Sequence, residues 1–216
     1  MKALIVTWEG GGVIQPALGL GRELTDRGHD VSILAPSALE ARVTRAGCTF
    51  RAWPRALEFD PSKGRSFEEQ WPAVFRDVLI GPGLPAAVET EIAASAPDIV
   101  IVDFMLRSAL FEVERLGLPA VPLIHMSYRH FGARDAAEDP DAEWGWRWTY
   151  HRLNEVRIRM GLVPLPIGPD NPSVAIAARA RRPGRHAPGV RGLAAAATER
   201  QPRGPDLRGA DTGLVD

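Results

Sequence analysis

The sequence predicts an α/β fold, a Rossmann-like doubly wound parallel sheet, on three observations. Short apolar runs rich in Leu, Ile and Val recur at residues 3–7, 31–35, 99–102 and 120–124 without strict alternation, as strands buried on both faces of a parallel sheet require. Segments of helical period separate the runs, so strand and helix alternate. The first run passes through Trp8-Glu9-Gly10-Gly11-Gly12 straight into a helical pattern, which aims a helix N-terminus at whatever binds above the sheet.

Taken in order, residues 3–7 are the first strand. The helix over 13–27 carries Leu18, Leu20 and Leu24 inward and Arg22, Glu23, Asp26 and Arg27 outward, and Gly28 ends it. Residues 31–35 form a second strand stopped by Pro36. Ser37 can cap a short helix through Ala46, and 48–53 give a third strand. Residues 55–67 are polar and read as a surface loop; two helices, 67–80 and 84–96, follow, split by Gly81-Pro82-Gly83. Pro97-Asp98 opens the most apolar strand, 99–102, which ends at Asp103. A helix over 106–116 is closed by Gly117, and a fifth strand over 120–124 brings His125 to its C-terminal end. Residues 132–141 are acidic and loop-like. A long helix over 143–160 is closed by Gly161, a proline-rich linker follows, and 173–178 read as one more short strand.

Composition narrows the class. A chain of 216 residues, 45% hydrophobic and 25% charged, suits one globular core with an appendage. The net charge of −1 offers no electrostatic case for nucleic acid or an anionic membrane surface. Cys48 is the single cysteine, which excludes a disulfide framework and a cysteine metal site and points to a reducing, cytoplasmic compartment. No apolar run approaches the roughly 18 residues of a membrane span. From Arg179 onward, eight arginines with runs of Ala, Gly and Pro and no aromatic residue cannot bury enough apolar surface to offset chain entropy, so disorder is expected. Three readings of this tail compete. Nucleic-acid binding is diluted by Glu199, Asp206, Asp211 and Asp216; a native linker is the second; the third, favoured by lysine being confined to Lys2 and Lys63, is a shifted frame of a GC-rich gene. The expected organisation is a domain over 1–178 and a tail over 179–216.

The glycine turn is not a dinucleotide fingerprint. Gln15 stands where the third glycine of G-x-G-x-x-G belongs, and Ala35-Pro36 stand where an acidic residue would hold the ribose. What remains is a turn whose amides face an anion or a sugar, or glycines that only let the chain turn tightly.

Several segments together carry a resemblance. Gly12-Val13-Ile14-Gln15-Pro16, the Leu-rich helix into Arg27-Gly28-His29-Asp30-Val31, Ala96-Pro97-Asp98 with the strand to Asp103, Leu116-Gly117-Leu118-Pro119-Ala120-Val121, and Leu153-Asn154-Glu155-Val156-Arg157 with Met160-Gly161-Leu162-Val163-Pro164-Leu165 resemble the N-terminal half of family 1 glycosyltransferases of GT-B fold, particularly bacterial natural-product and macrolide enzymes. The resemblance covers about residues 1–178. It implies transfer of a sugar, with inversion, from a nucleoside-diphosphate sugar donor to a hydroxyl of a small hydrophobic acceptor, with no metal and no other cofactor. It also implies that the donor-binding second domain is absent, so that this chain alone is inactive.

Site residues follow from the resemblance and from position. The family's usual base, a histidine, falls at Val13, which cannot accept a proton. Asp103 matches the carboxylate that orients that histidine, and without it could be a relic, a direct base, or a cap for the next helix. Glu9 and His125, at the tips of the first and fifth strands, are further catalytic candidates; their bland readings are a solvated turn residue and a structural histidine. Gly11, Gly12 and Val13 would form one wall for substrate. Trp144 and Trp148 share a helical face at i, i+4, and with Phe104, Met126 and Tyr128 could line an apolar acceptor cleft, although aromatic stripes usually pack in cores. The alternative is a non-catalytic Rossmann-like module for a small molecule or a partner chain.

Overall fold

The structure, a computed structural model, describes residues 1–9, 11–54, 79–125, 140–167 and 172–180, all inside the compact unit Met1–Arg182. Five strands, β1 (Lys2–Val6), β2 (Asp30–Ala35), β3 (Thr49–Ala52), β4 (Ile99–Asp103) and β5 (Ala120–Leu123), form one parallel sheet in the order β3-β2-β1-β4-β5. The chain winds from β1 outward to β3 and returns to β4 on the other side. That reversal falls between β1 and β4, and in open α/β sheets ligands bind beyond the C-terminal ends of the strands at such a point. Val6 pairs in register with Val102 and Asp103 with Leu123, so the ends of β1, β4 and β5 are level. Leu4, Ile5, Val6, Val100 and Val102 are fully buried, as their unbroken apolar runs require, and each such side chain contributes roughly 1.5–3 kcal/mol of transfer free energy.

The helices are α1 (Ile14–Asp26), α2 (Glu40–Arg45), α3 (Gly83–Ser95), α4 (Arg107–Arg115), α5 (Pro140–Arg159) and α6 (Pro172–Ala180), with short 3-10 turns at Gly11–Val13 and Ser37–Leu39. The sequence boundaries hold to within a few residues, except that the second 3-10 turn begins at Ser37 itself, so Ser37 is its first residue and not its N-cap. The stop at the end of α1 has a full physical account. Gly28 takes φ +79°, its N–H donates to the Thr25 carbonyl at 2.8 Å, and the N–H of His29 reaches the Leu24 carbonyl at 3.1 Å, a Schellman closure that a Cβ would strain.

One element is corrected. Residues 173–178, expected as a strand, lie in α6. Ser173, Ile176 and Ala177 are buried while Ala178 is exposed, the i, i+3, i+4 stripe of a helix, and Pro172 occupies a first-turn position that tolerates a missing N–H. The Ala-rich composition favours the helix, and packing on α4 and β5 selects it. The helix runs through Arg179 and Ala180; the rest of the arginine-rich tail lies outside the described residues, as do the predicted loop at 55–67, most of the predicted helix at 67–80 and the acidic stretch at 132–139.

Helix α4 sits deepest among the helices, with every residue from Arg107 to Val113 buried between the sheet, α3 and α6. The motif near the end of α5 is scaffold. Arg157 is fully buried, donates to both carboxylate oxygens of Glu114 at 2.6 and 2.9 Å and twice to the Val163 carbonyl at 2.8 and 3.0 Å, and lies 5.0 Å from the Phe111 ring centroid. Asn154 exchanges two hydrogen bonds with the Leu165 backbone at 2.7 and 2.9 Å. Together they bind the segment after α5 back onto α4 and fix the outer wall of the domain.

Candidate active site

The sheet edge collects the polar groups that the core leaves unanswered. Among the described residues, six buried side-chain atoms have no hydrogen-bond partner: Thr7 Oγ1, Trp8 Nε1, Asp103 Oδ2, Arg107 Nε, Ser108 Oγ and His125 Nε2. All six belong to residues at the C-terminal ends of β1, β4 and β5 or in the first turn of α4. Buried polar atoms are nearly always satisfied, so such a concentration at the topological reversal singles out this edge as the candidate site.

Asp103 organises this edge. Its Oδ1 accepts the Met105 N–H at 3.0 Å and its backbone carbonyl accepts that of Leu106 at 2.9 Å, which turns the chain from β4 into α4. Met105 precedes the N-cap Leu106, so this bond holds the turn and is not a helix cap, and it occupies only one carboxylate oxygen. Oδ2 stands 3.1 Å from His125 Nε2, with the carboxylate fully buried and the imidazole 6% exposed. The two atoms are within reach of each other but not aligned as a hydrogen bond, a looseness that unliganded sites often show. His125 reaches Asp103 because it follows β5 by two residues, and the Phe104 ring meets its imidazole edge-on at 5.1 Å between centroids. Phe104 is held in turn by the Ser173 hydroxyl of α6, which donates to its carbonyl at 2.7 Å.

Arg107 is the member that sequence reasoning missed. It begins α4, is 7% exposed, and has no acidic side chain of the described residues paired directly with it. Burial pushes its guanidinium down to about 10, with the Asp103 carboxylate pulling the other way; it remains a cation at neutral pH. A signal was present, since Arg107 interrupts the apolar stretch from Phe104 to Phe111 where an exposed helix face would not be expected.

The remaining candidates divide. Glu9 is half-buried and faces Arg42 of α2 at 3.8 Å, toward the β2 side, and no described contact joins it to Asp103 or His125. Val13 is 7% exposed and packs in the same core cluster as Trp8, Leu34 and Trp53. Gly12 is exposed, and a Cβ built there would meet nothing within 4 Å, so open space lies over the glycine turn beside Gly11. Met126 and Tyr128 lie outside the described residues; Trp144 and Trp148 stand on α5, with their side chains outside the description as well. Tyr150, on the same helix, is buried core. Among the described residues no group of three or more His, Cys, Asp or Glu could hold a metal ion, and no helix is long and apolar enough to cross a membrane.

Residues 10–158 match the sequence profile described as Glycosyltransferase Family 4, which is well over half of the chain. The chain belongs to that family. Among curated glycosyltransferase relatives it is 29% identical over 149 residues to 4'-demethylrebeccamycin synthase of Lentzea aerocolonigenes, covering 63% of this chain and 35% of that protein. It is 28% identical over 196 residues to O-mycaminosyltylonolide 6-deoxyallosyltransferase of Streptomyces fradiae, covering 76% of this chain and 44% of that protein. The matched part therefore spans less than half the length of either relative. Among solved structures, the calicheamicin glycosyltransferase matches with TM-score 0.54 at 19% identity over 76% of this chain and 43% of its own. The glycotransferase of kitacinnamycin matches with TM-score 0.53 at 20% identity over 74% and 40%. These two likenesses show the fold, a Rossmann-like α/β domain shared with glycosyltransferases of GT-B fold.

Proposed function

We propose that this chain is the acceptor-binding half of an inverting glycosyltransferase that acts on a hydroxyl of a small hydrophobic natural product, and that His125, oriented by Asp103, is its base. The observation that carries the proposal is the buried contact between His125 Nε2 and Asp103 Oδ2 at the end of the central strand, with the usual base position filled by Val13 in the core. A carboxylate beside Nε2 favours the tautomer protonated there and leaves Nδ1 as the proton acceptor. In the reaction, Nδ1 removes the acceptor hydroxyl proton as that oxygen bonds to the anomeric carbon. The bond from that carbon to the diphosphate breaks on the opposite face, and nucleoside diphosphate leaves. Asp103 stabilises the imidazolium that results. Glu9, engaged with Arg42, takes no part in this step.

Gly11 and Gly12 form one wall of the crevice in this reading, and Phe104 its floor beside the imidazole. The Trp144 and Trp148 face of α5, with Met126 and Tyr128, supplies the apolar contact that a hydrophobic acceptor needs. The donor's nucleotide and diphosphate belong to a second domain by the family resemblance, so this domain is assigned the acceptor side of the reaction. Calorimetry on this chain with apolar hydroxylated aglycones and with nucleotide sugars tests the first half: acceptor binding with no donor binding is expected, and the reverse pattern refutes it. In a chain completed by a donor-binding domain, His125→Ala and Asp103→Asn should each lower kcat by about 10²–10⁴ with Glu9→Gln near wild type. Unchanged rates in the first two sink the assignment of the base.

A further inference from the structure

The buried arginines of this domain are not alike. Arg157 has four hydrogen bonds, a bidentate carboxylate partner and an aromatic face. Arg107 is almost as deeply buried and has none of these among the described residues, and its Nε is fully enclosed without a partner. Burying a guanidinium in this way costs free energy unless an oxygen acceptor arrives to meet it.

Its surroundings add to the positive side. The first turn of α4 has Leu106 as N-cap, no side-chain cap and no acidic residue, so nothing within the nine-residue helix offsets its positive end. Ser108, the next residue, is fully buried with its hydroxyl unpartnered. The charge opposing this group is Asp103, whose Oδ1 is committed to the Met105 N–H and whose Oδ2 faces His125. Among the described residues, the balance of the cluster is therefore one cation, one helix N-terminus and one unpartnered hydroxyl against the Asp103 carboxylate, already shared with an imidazole.

We propose that Arg107 and Ser108, at the N-terminus of α4, form an oxyanion-binding subsite beside the Asp103–His125 pair. Arg107 presents a charge-assisted donor, the helix end adds its dipole, and Ser108 adds a hydroxyl that can donate to a second oxygen. The group recognised is a carboxylate or an acidic enolate on the acceptor, or a phosphate oxygen of the donor. The first narrows the acceptor class: a largely apolar molecule bearing an anionic oxygen near the hydroxyl that is glycosylated. That naming rests on the acceptor reading above, whereas the subsite itself does not, so the two can fail separately.

The test uses the full 216-residue chain, isothermal calorimetry and three probes: 2-naphthoate, its uncharged counterpart 2-naphthamide, and inorganic pyrophosphate. The wild-type chain should bind naphthoate or pyrophosphate at least about tenfold more tightly than the amide, the worth of one charge-assisted hydrogen bond. Naphthoate as the tighter ligand assigns the subsite to an acceptor carboxylate, and pyrophosphate as the tighter one assigns it to a donor phosphate. Arg107→Met should abolish the preference, and Arg107→Lys should keep part of it, with circular dichroism showing an intact fold. Equal affinity for naphthoate and naphthamide with no pyrophosphate binding overturns the proposal on wild-type protein alone, even if the methionine variant does not fold. A preference that persists in folded Arg107→Met overturns it as well. Loss of transfer in a completed His125→Ala enzyme leaves this binding preference intact, so the base assignment and the subsite are judged by different readouts.

Discussion

Replacing Arg107 with methionine keeps an unbranched side chain of similar reach in the first turn of α4 and removes its charge. Burial lowers the Arg107 guanidinium to about 10 even with Asp103 opposing the shift. Measured from the ordinary arginine range above 12, the gap is about 2.5, and at about 1.4 kcal/mol for each unit it corresponds to about 3 kcal/mol. The sign follows from linkage. A folded-state value below the unfolded one stabilises the fold only where the group is neutral, above the unfolded value, and that stability is lost as pH falls through the folded value. At pH 7 the group is charged in both states, and the folded state carries the whole desolvation cost. Arg107→Met should therefore raise stability by about 1–3 kcal/mol in urea unfolding at pH 7, the range seen when buried charges give way to apolar residues. For a domain of this size that is a gain of several degrees in Tm, at about 2–4 °C per kcal/mol. A loss of 1 kcal/mol or more would refute the reasoning, because it would make Arg107 the structural counter-ion of Asp103. A gain would mean that the chain tolerates instability at the sheet edge for the sake of a ligand.

Two further perturbations test the scaffold. Gly21 lets α1 approach the sheet so closely that a Cβ would lie 2.8 Å from Cys48 Sγ and 3.2 Å from Ile33 Cδ1. Gly21→Ala should cost up to about 2 kcal/mol by overpacking despite its better helix propensity, and Cys48→Ala in the same chain should recover most of it; a stabilised single variant in thermal melts would exclude the close approach. Glu114→Ala removes the carboxylate from buried Arg157 and should cost about 3 kcal/mol in urea unfolding, with less than about 1 kcal/mol showing that the Val163 carbonyl and Phe111 suffice.

The strands around the site were legible because a parallel strand buried on both faces has one simple signature, an unbroken apolar run, and residues 3–7 and 99–102 carry it. The glycines ending α1, α4 and α5 were legible for a similarly local reason, since Gly28, Gly117 and Gly161 all take positive φ. The sequence of α6 also fits a strand, because Val174, Ile176 and Ala178 alternate as in a strand. Only the burial of Ser173, Ile176 and Ala177 against α4 and β5 chose between the two periods.

By itself the sequence determined a Rossmann-like sheet, its strand ends, and a short set of carboxylates and a histidine at those ends, since all of these depend on residues close together in the chain. It could not determine which of them meet. Asp103 and His125 are twenty-two residues apart, and their 3.1 Å contact exists because β4 and β5 pair in a register that levels Asp103 with Leu123. Glu9 leaves the group because Arg42 of α2 lies within its reach, and Arg107 joins it because α3, α6 and the sheet enclose the first turn of α4. Pairing register and helix packing are long-range consequences of the whole core, and they turned a list of candidate residues into one buried, charge-unbalanced edge.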